Sequence, residues 1–162
     1  MIDALPAIVR ECPRLLLCIG GRGPLRPLLE RRVAAQGLQD HVRFLGYVEE
    51  GQLPMLYRAA DLNVVPTLAL EGFGLTAIEA LAAGTPSMVT PIGGLPEAVG
   101  KLSPSLVFRS AEAADMAEGI LGALSGSTSM PTTEQCRTYA RDHFSADLMA
   151  ERVAAVYREA LA

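Results

Sequence analysis

One lysine, two histidines and three cysteines in 162 residues exclude several functions at once. Apart from Lys101 the positive charge rests on arginine, and the net charge is −4. No basic stripe is available to follow a nucleic-acid backbone, so no nucleic-acid partner is expected. Cys12, Cys18 and Cys136 are odd in number and widely spaced, without metal-ligand spacing. They are expected to be reduced thiols, with Cys18 buried in a strand. Cysteine, histidine and acidic residues form no cluster, so no metal is expected. His41 and His143 lack a nearby serine or carboxylate arrangement and read as surface or capping residues.

Long apolar runs are also missing. The longest, at 15–19 and 75–83, are far shorter than the roughly 20 residues a membrane-spanning helix needs, so no integral membrane segment is expected. Asp3 stands where a secretory leader would be basic, which favours a cytoplasmic chain. There are no internal repeats.

What is present is a globular composition. Half the residues are apolar and a fifth are charged, over a length that suits one domain with a real core. Ile2, Leu5, Ile8 and Val9 have helical spacing, so the chain opens on a helix where an α/β unit would open on a strand. Residues 14–19 form a continuous apolar run of the kind buried on both faces of a parallel sheet. Gly20-Gly21-Arg22-Gly23 turns the chain, and Pro24 suits the first position of a helix that closes at Gly37.

A strand at 41–45, a helix at 50–60 and a strand at 61–65 follow, the last stopped by Pro66. Leu53, Leu56 and Tyr57 share one face of that helix. Later come a short helix at 94–99, a short strand at 106–108 and a helix at 111–124 with Met116, Ile120, Leu121 and Leu124 inward. Two C-terminal helices lie beyond a Gly/Ser-rich run at 126–131, and Ser145 is placed to cap the second. The expected fold is α/β, a doubly wound, Rossmann-like parallel sheet. Residues 1–126 are expected to form the Rossmann-like part, and 127–162 the C-terminal helices of the same domain.

The chain is organised around residues 66–94. A strand end leads into a loop with Gly72 and Gly74 on either side of Phe73, then a helix that closes at Gly84, then a strand near 87–90. Glycines without Cβ let an anion approach the backbone, and the first N–H groups of a helix lack partners at the positive end of its dipole. Glu71 and Glu79, eight residues apart, flank that point. Carboxylates would repel a phosphate, so they are better suited to accepting hydrogen bonds from hydroxyls on either side of it. Hydroxyls, phosphate and hydroxyls in series describe a nucleotide-sugar. By spacing alone, the same pair also fits an ordinary loop acid and a solvated helix acid.

The motifs G-G-R-G-P (20–24), V-R-F-L-G-Y-V (42–48), L-Y-R-A-A-D-L-N-V-V-P-T (56–67), E-G-F-G-L-T-A-I-E-A-L-A-A-G-T-P (71–86), G-G-L-P-E (93–97) and the C-terminal F-S-x7-R-V-x3-Y (144–157) cover nearly the whole chain. Together they resemble the C-terminal, donor-binding domain of retaining GT-B glycosyltransferases of family 4. The resemblance implies that Glu71 sits against the donor sugar as the catalytic-site carboxylate, and that the backbone of Gly72, Phe73, Gly74 and Leu75, with Thr76 beside it, meets sugar and distal phosphate. Glu79 would accept from the ribose, Gly21, Arg22 and Gly23 would lie near the diphosphate, and Tyr47 and Val48 would border the nucleobase. The substrate would be a UDP- or GDP-sugar, with no cofactor and no metal, and hexosyl transfer would retain configuration. Thr67 reads equally as a turn residue or a ligand-facing one, and Gly93-Gly94 as a turn.

Relatives carry a strand with an Arg and then a Lys-Gly pair ahead of the first helix, and an N-terminal acceptor-binding domain. This sequence contains neither. The chain alone is therefore expected to be inactive, with an N-terminal domain or a separate chain as its partner and a membrane-peripheral location compatible with the complete enzyme. The absent strand would lie between the strands at 14–19 and 61–65. These must then close on each other, borrow a strand or leave a gap, and self-association is expected. Other readings are a non-catalytic remnant or interaction module, and a dinucleotide-binding Rossmann-like enzyme. The last needs a glycine at position 26, where the chain has Arg26.

Overall fold

The computed structural model describes residues 1–161. A 3-10 turn, Ile2–Ala4, leads into α1, Leu5–Glu11, and then β1, Leu17–Gly20, α2, Arg26–Ala35, and β2, Val42–Gly46. Next come α3, Leu53–Arg58, β3, Asn63–Val65, α4, Leu75–Ala83, β4, Ser87–Val89, and α5, Leu95–Val99. Three longer helices complete the chain: α6, Ala113–Ser125, α7, Thr133–Phe144, and α8, Ala146–Ala160.

All strand pairing is parallel. Leu17 lies opposite Val42 and Ile19 opposite Phe44, while Val64 lies opposite Met88 and Val65 opposite Val89. Among the described residues the β1–β2 pair and the β3–β4 pair are not bonded to each other, so the two flanking strands do not close on each other. The strand expected at 106–108 shrinks to a single bridge from Val107 to Val89. Its physical cause is Pro104, which opens a 3-10 turn running to Leu106 and leaves too few extended residues for a ladder.

The core lies around α4 and β4. Ala77, Ile78, Ala80 and Leu81 are buried on α4, and Val89 on β4 is fully enclosed. Leu5 and Ile8 of α1 join Met116, Ala117 and Ile120 of α6 in the same cluster. Each such large aliphatic side chain contributes about 1.5–3 kcal/mol by leaving water. Thr132 and Gln135 form a reciprocal capping box on α7, and the Ser145 hydroxyl caps α8 as its position predicts.

Three local expectations need correction. Cys18 is exposed, because the face of the β1–β2 pair bearing Leu16, Cys18, Arg43 and Leu45 stands open. Pro24 belongs to the turn before α2, and it is Pro27 that occupies the first helical turn. Leu124 lies at the partly exposed end of α6 and not in the core. Helix α8 buries no side chain: Met149, Val153, Val156 and Tyr157 are exposed, as is Leu161 just past its end, as its apolar face predicts for a helix without a partner.

Candidate functional site

Two left-handed glycines fix the central helix. Gly74, with φ 85°, forms the N-cap of α4, and Gly84, with φ 97°, ends it. The loop before Gly74 includes Leu70 at φ 59°, a left-handed backbone on a residue with a Cβ and a fully exposed side chain. Such a conformation costs on the order of 1–3 kcal/mol and persists only where the surroundings enforce it. It stands next to Glu71.

Glu71 reaches back to the helix. Its Oε1 accepts the Gly74 N–H at 3.0 Å, and its Oε2 accepts the Thr67 hydroxyl at 3.4 Å. A carboxylate at a helix N-terminus is stabilised by the dipole as well as by the bond. Thr67, which the sequence left between two roles, is thus a support for Glu71, and its own carbonyl accepts the hydroxyl of buried Thr90 at 2.6 Å. With Gly74 engaged, the next N–H groups, on Leu75 and Thr76, have no acceptor among the described residues. They stand between Glu71 and Glu79 in sequence.

Glu79 is exposed in the second turn of α4. Its Oε2 accepts the Tyr57 hydroxyl of α3 at 3.0 Å. Burial, then the bond and the charge of Glu79, push the Tyr57 hydroxyl up to about 12, so it keeps its proton and donates.

Gly93 and Gly94, read from sequence as a turn, have a second task. A Cβ on Gly93 would collide with the Glu71 carbonyl, and one on Gly94 with the Gly72 carbonyl. The turn before α5 therefore lies directly against the backbone of the Glu71–Phe73 loop and sets its position. On the other side the Phe73 ring meets Phe144 at 5.6 Å, and Phe144 meets Tyr139 at 5.6 Å. Tyr139 donates its hydroxyl to the Ala98 carbonyl at 3.2 Å, and the His143 ring leans tilted against its ring, centroids 4.7 Å apart. His143 is thus a member of this aromatic cluster and not only a surface residue.

The other predicted residues assemble separately. Gly21, at φ 115°, donates its N–H to the Gly46 carbonyl at 2.6 Å, which brings the glycine turn beside Tyr47 and Val48. Arg22 lies over the Tyr47 ring at 5.3 Å. No hydrogen bond or ring contact links this group to the Glu71–Glu79 group among the described residues; the first sits on β1–β2 and the second on β3–α4. An open cavity of about 340 Å³, lined by Ile78, Arg137 and Phe144 among others, lies behind α4 and includes none of the predicted residues. No group of three His, Cys, Asp or Glu side chains is placed to hold a metal among the described residues.

The fold is a parallel α/β domain in which α4 begins at Gly74 and presents the free N–H groups of Leu75 and Thr76, the kind of helix terminus at which anions are stabilised. Residues 1–143 match the family described as Glycosyl transferases group 1, and the chain belongs to that family. It is 43% identical over 107 residues to mannosylfructose-phosphate synthase of Agrobacterium fabrum, a match that covers 61% of this chain and 23% of the relative. Its structure resembles a sucrose-phosphate synthase from Thermosynechococcus elongatus with a TM-score of 0.82 at 29% identity, over 99% of this chain and 42% of that one. It also resembles HepE of Anabaena in complex with UDP-glucose, with a TM-score of 0.84 at 23% identity, over 98% of this chain and 44% of that one. The architecture is that of GT-B glycosyltransferases. The chain spans about a quarter of the length of the curated relatives it matches.

Proposed function

We propose that this chain holds the nucleotide-diphospho-sugar donor for a hexosyl transfer that retains configuration. The observation that carries the reading is the pair of unpartnered N–H groups of Leu75 and Thr76 at the start of α4, flanked in sequence by Glu71, which is bonded to the Gly74 N–H, and by Glu79, which is bonded to Tyr57. Those N–H groups and the positive end of α4 suit the distal phosphate and stabilise negative charge as the diphosphate departs. Glu71, held by Gly74 and Thr67, keeps lone pairs for hydroxyls of the sugar; Glu79 takes those of the ribose. Gly72, Phe73 and Gly74 let the sugar approach the backbone. Gly21, Arg22 and Gly23 would flank the diphosphate, with Tyr47 and Val48 at the nucleobase.

The reading needs no metal, because main-chain dipoles supply the positive potential. Residues 1–126 would carry the donor site and 127–162 would brace it, through the contact of Phe144 with Phe73. Transfer also requires an acceptor site, from an N-terminal domain or a separate chain, so the chain by itself is not expected to turn over. The exposed apolar face of α8 favours such an association. The UDP-glucose complex of HepE makes a uridine nucleotide the first ligand to try.

Calorimetric titration of the chain with UDP, GDP and their sugars tests this. Binding that Glu79→Ala weakens is the expected result. A folded sample that binds no nucleoside diphosphate overturns it.

A further inference from the structure

The donor reading assigns Glu79 a ligand but leaves open how an exposed carboxylate is kept ready for it. A glutamate on a helix surface has rotamer freedom that it loses on binding unless something fixes it beforehand. One side chain reaches it: the Tyr57 hydroxyl, at 3.0 Å from Oε2. No other hydrogen bond to this carboxylate exists among the described residues, so Oε1 is left as a free acceptor.

Tyr57 is itself fixed. Its ring is half buried between α3 and α4, and its carbonyl accepts the hydroxyl of Thr85 at 2.6 Å. Thr85, 3% exposed, belongs to the turn that follows α4. The tyrosine is therefore tied to both ends of the second half of α4: to Glu79 by its hydroxyl and to Thr85 by its backbone.

We propose that Tyr57 is a positioning residue for donor binding, orienting the Glu79 carboxylate toward the ribose hydroxyls through the bond to Oε2. The inference rests on the reading of Glu79 as the ribose acceptor. Because the contact is to the sugar and not the base, the effect is the same for every nucleoside diphosphate that binds. The tyrosine stays protonated throughout the neutral range, its hydroxyl lying at about 12, so the bond does not switch off in working conditions.

The test is a calorimetric comparison of UDP, GDP and ADP with their 2′,3′-dideoxy counterparts, on the full chain and on Tyr57→Phe, Glu79→Ala and the double variant. Tyr57→Phe is expected to weaken the ribonucleotide roughly three- to tenfold and leave the dideoxy form unchanged. In the Glu79→Ala background the same change should have no further effect. Equal weakening of both nucleotide forms marks a structural perturbation and overturns the inference, as does unchanged or tighter ribonucleotide binding. If Glu79→Ala itself fails to weaken the ribonucleotide, or no nucleotide binds, the donor reading falls and takes this inference with it. If Glu79→Ala weakens binding and Tyr57→Phe does not, only the role of Tyr57 falls.

Discussion

The ring of Phe73 meets the ring of Phe144 edge-on, with centroids 5.6 Å apart. One residue lies between the two glycines of the central loop, and the other ends α7 next to the Ser145 cap of α8. The contact ties the position of the loop to the joint between the last two helices.

Removing that contact should be felt at both ends. Phe144→Ala is expected to cost about 1–3 kcal/mol, combining lost burial with the loss of its aromatic pairs with Phe73, Tyr139 and His143. Urea unfolding measures the cost, and calorimetry with UDP should show weakened binding. Phe144→Leu should restore most of the stability but less of the affinity, because it fills space without an aromatic edge.

At Glu71 two roles separate by substitution. Glu71→Ala removes the acceptor of the Gly74 N–H and should cost about 0.5–2 kcal/mol, as loss of a helix cap does. Glu71→Gln keeps an oxygen for that N–H and should cost less than half as much. If the charge also serves the donor sugar, Glu71→Gln in a complete, acceptor-competent enzyme should still lower the transfer rate well below the unmodified protein.

Gly93 is a position where one methyl group should suffice. Its φ of 56° disfavours any side chain, and a Cβ would meet the Glu71 carbonyl. Gly93→Ala is expected to destabilise the chain by about 2 kcal/mol or more, or to shift the loop. Thermal unfolding reads the first outcome and loss of nucleotide binding the second.

The alkaline limb of stability has two named sources. Burial pushes the Cys136 thiol up to about 11 from its ordinary 9.0, and Tyr57 is raised to about 12 from 10.0. Both folded values exceed the unfolded ones, so the stabilisation is complete below pH 9 and is lost as pH rises through about 11 and then 12. Unfolding measured from pH 7 to 11 should show a decline that Cys136→Ala flattens first.

The apolar face of α8 and the unpaired edges of β1 and β3 predict concentration-dependent association of the chain on its own. Light scattering should show it, and Val156→Glu should reduce it. A monodisperse monomer at all concentrations would show that these surfaces do not drive assembly.

Much of this was legible in the residues. Period and punctuation placed α4, because Gly74 and Gly84 bracket an apolar segment whose neighbours end in Pro66 and begin at Ser87. They also placed α7, α8 and the Ser145 cap. The failures are equally specific. Cys18 was expected inside because an apolar run in a parallel sheet is covered on both faces, and whether a face is covered depends on elements far away in sequence. Pro24 and Pro27 both fit the start of a helix, and only the turn from Gly23 to Arg26 decided between them.

The sequence by itself determined that a glycine loop enters a helix between two carboxylates, since that follows from residue types and spacing over a short range. Only the tertiary structure decided what holds those carboxylates. Tyr57 reaches Glu79 from another helix, Gly93 and Gly94 admit the loop by lacking a side chain, and Phe144 braces it from near the end of the chain. Such contacts depend on distances across the fold, which local periodicity does not encode.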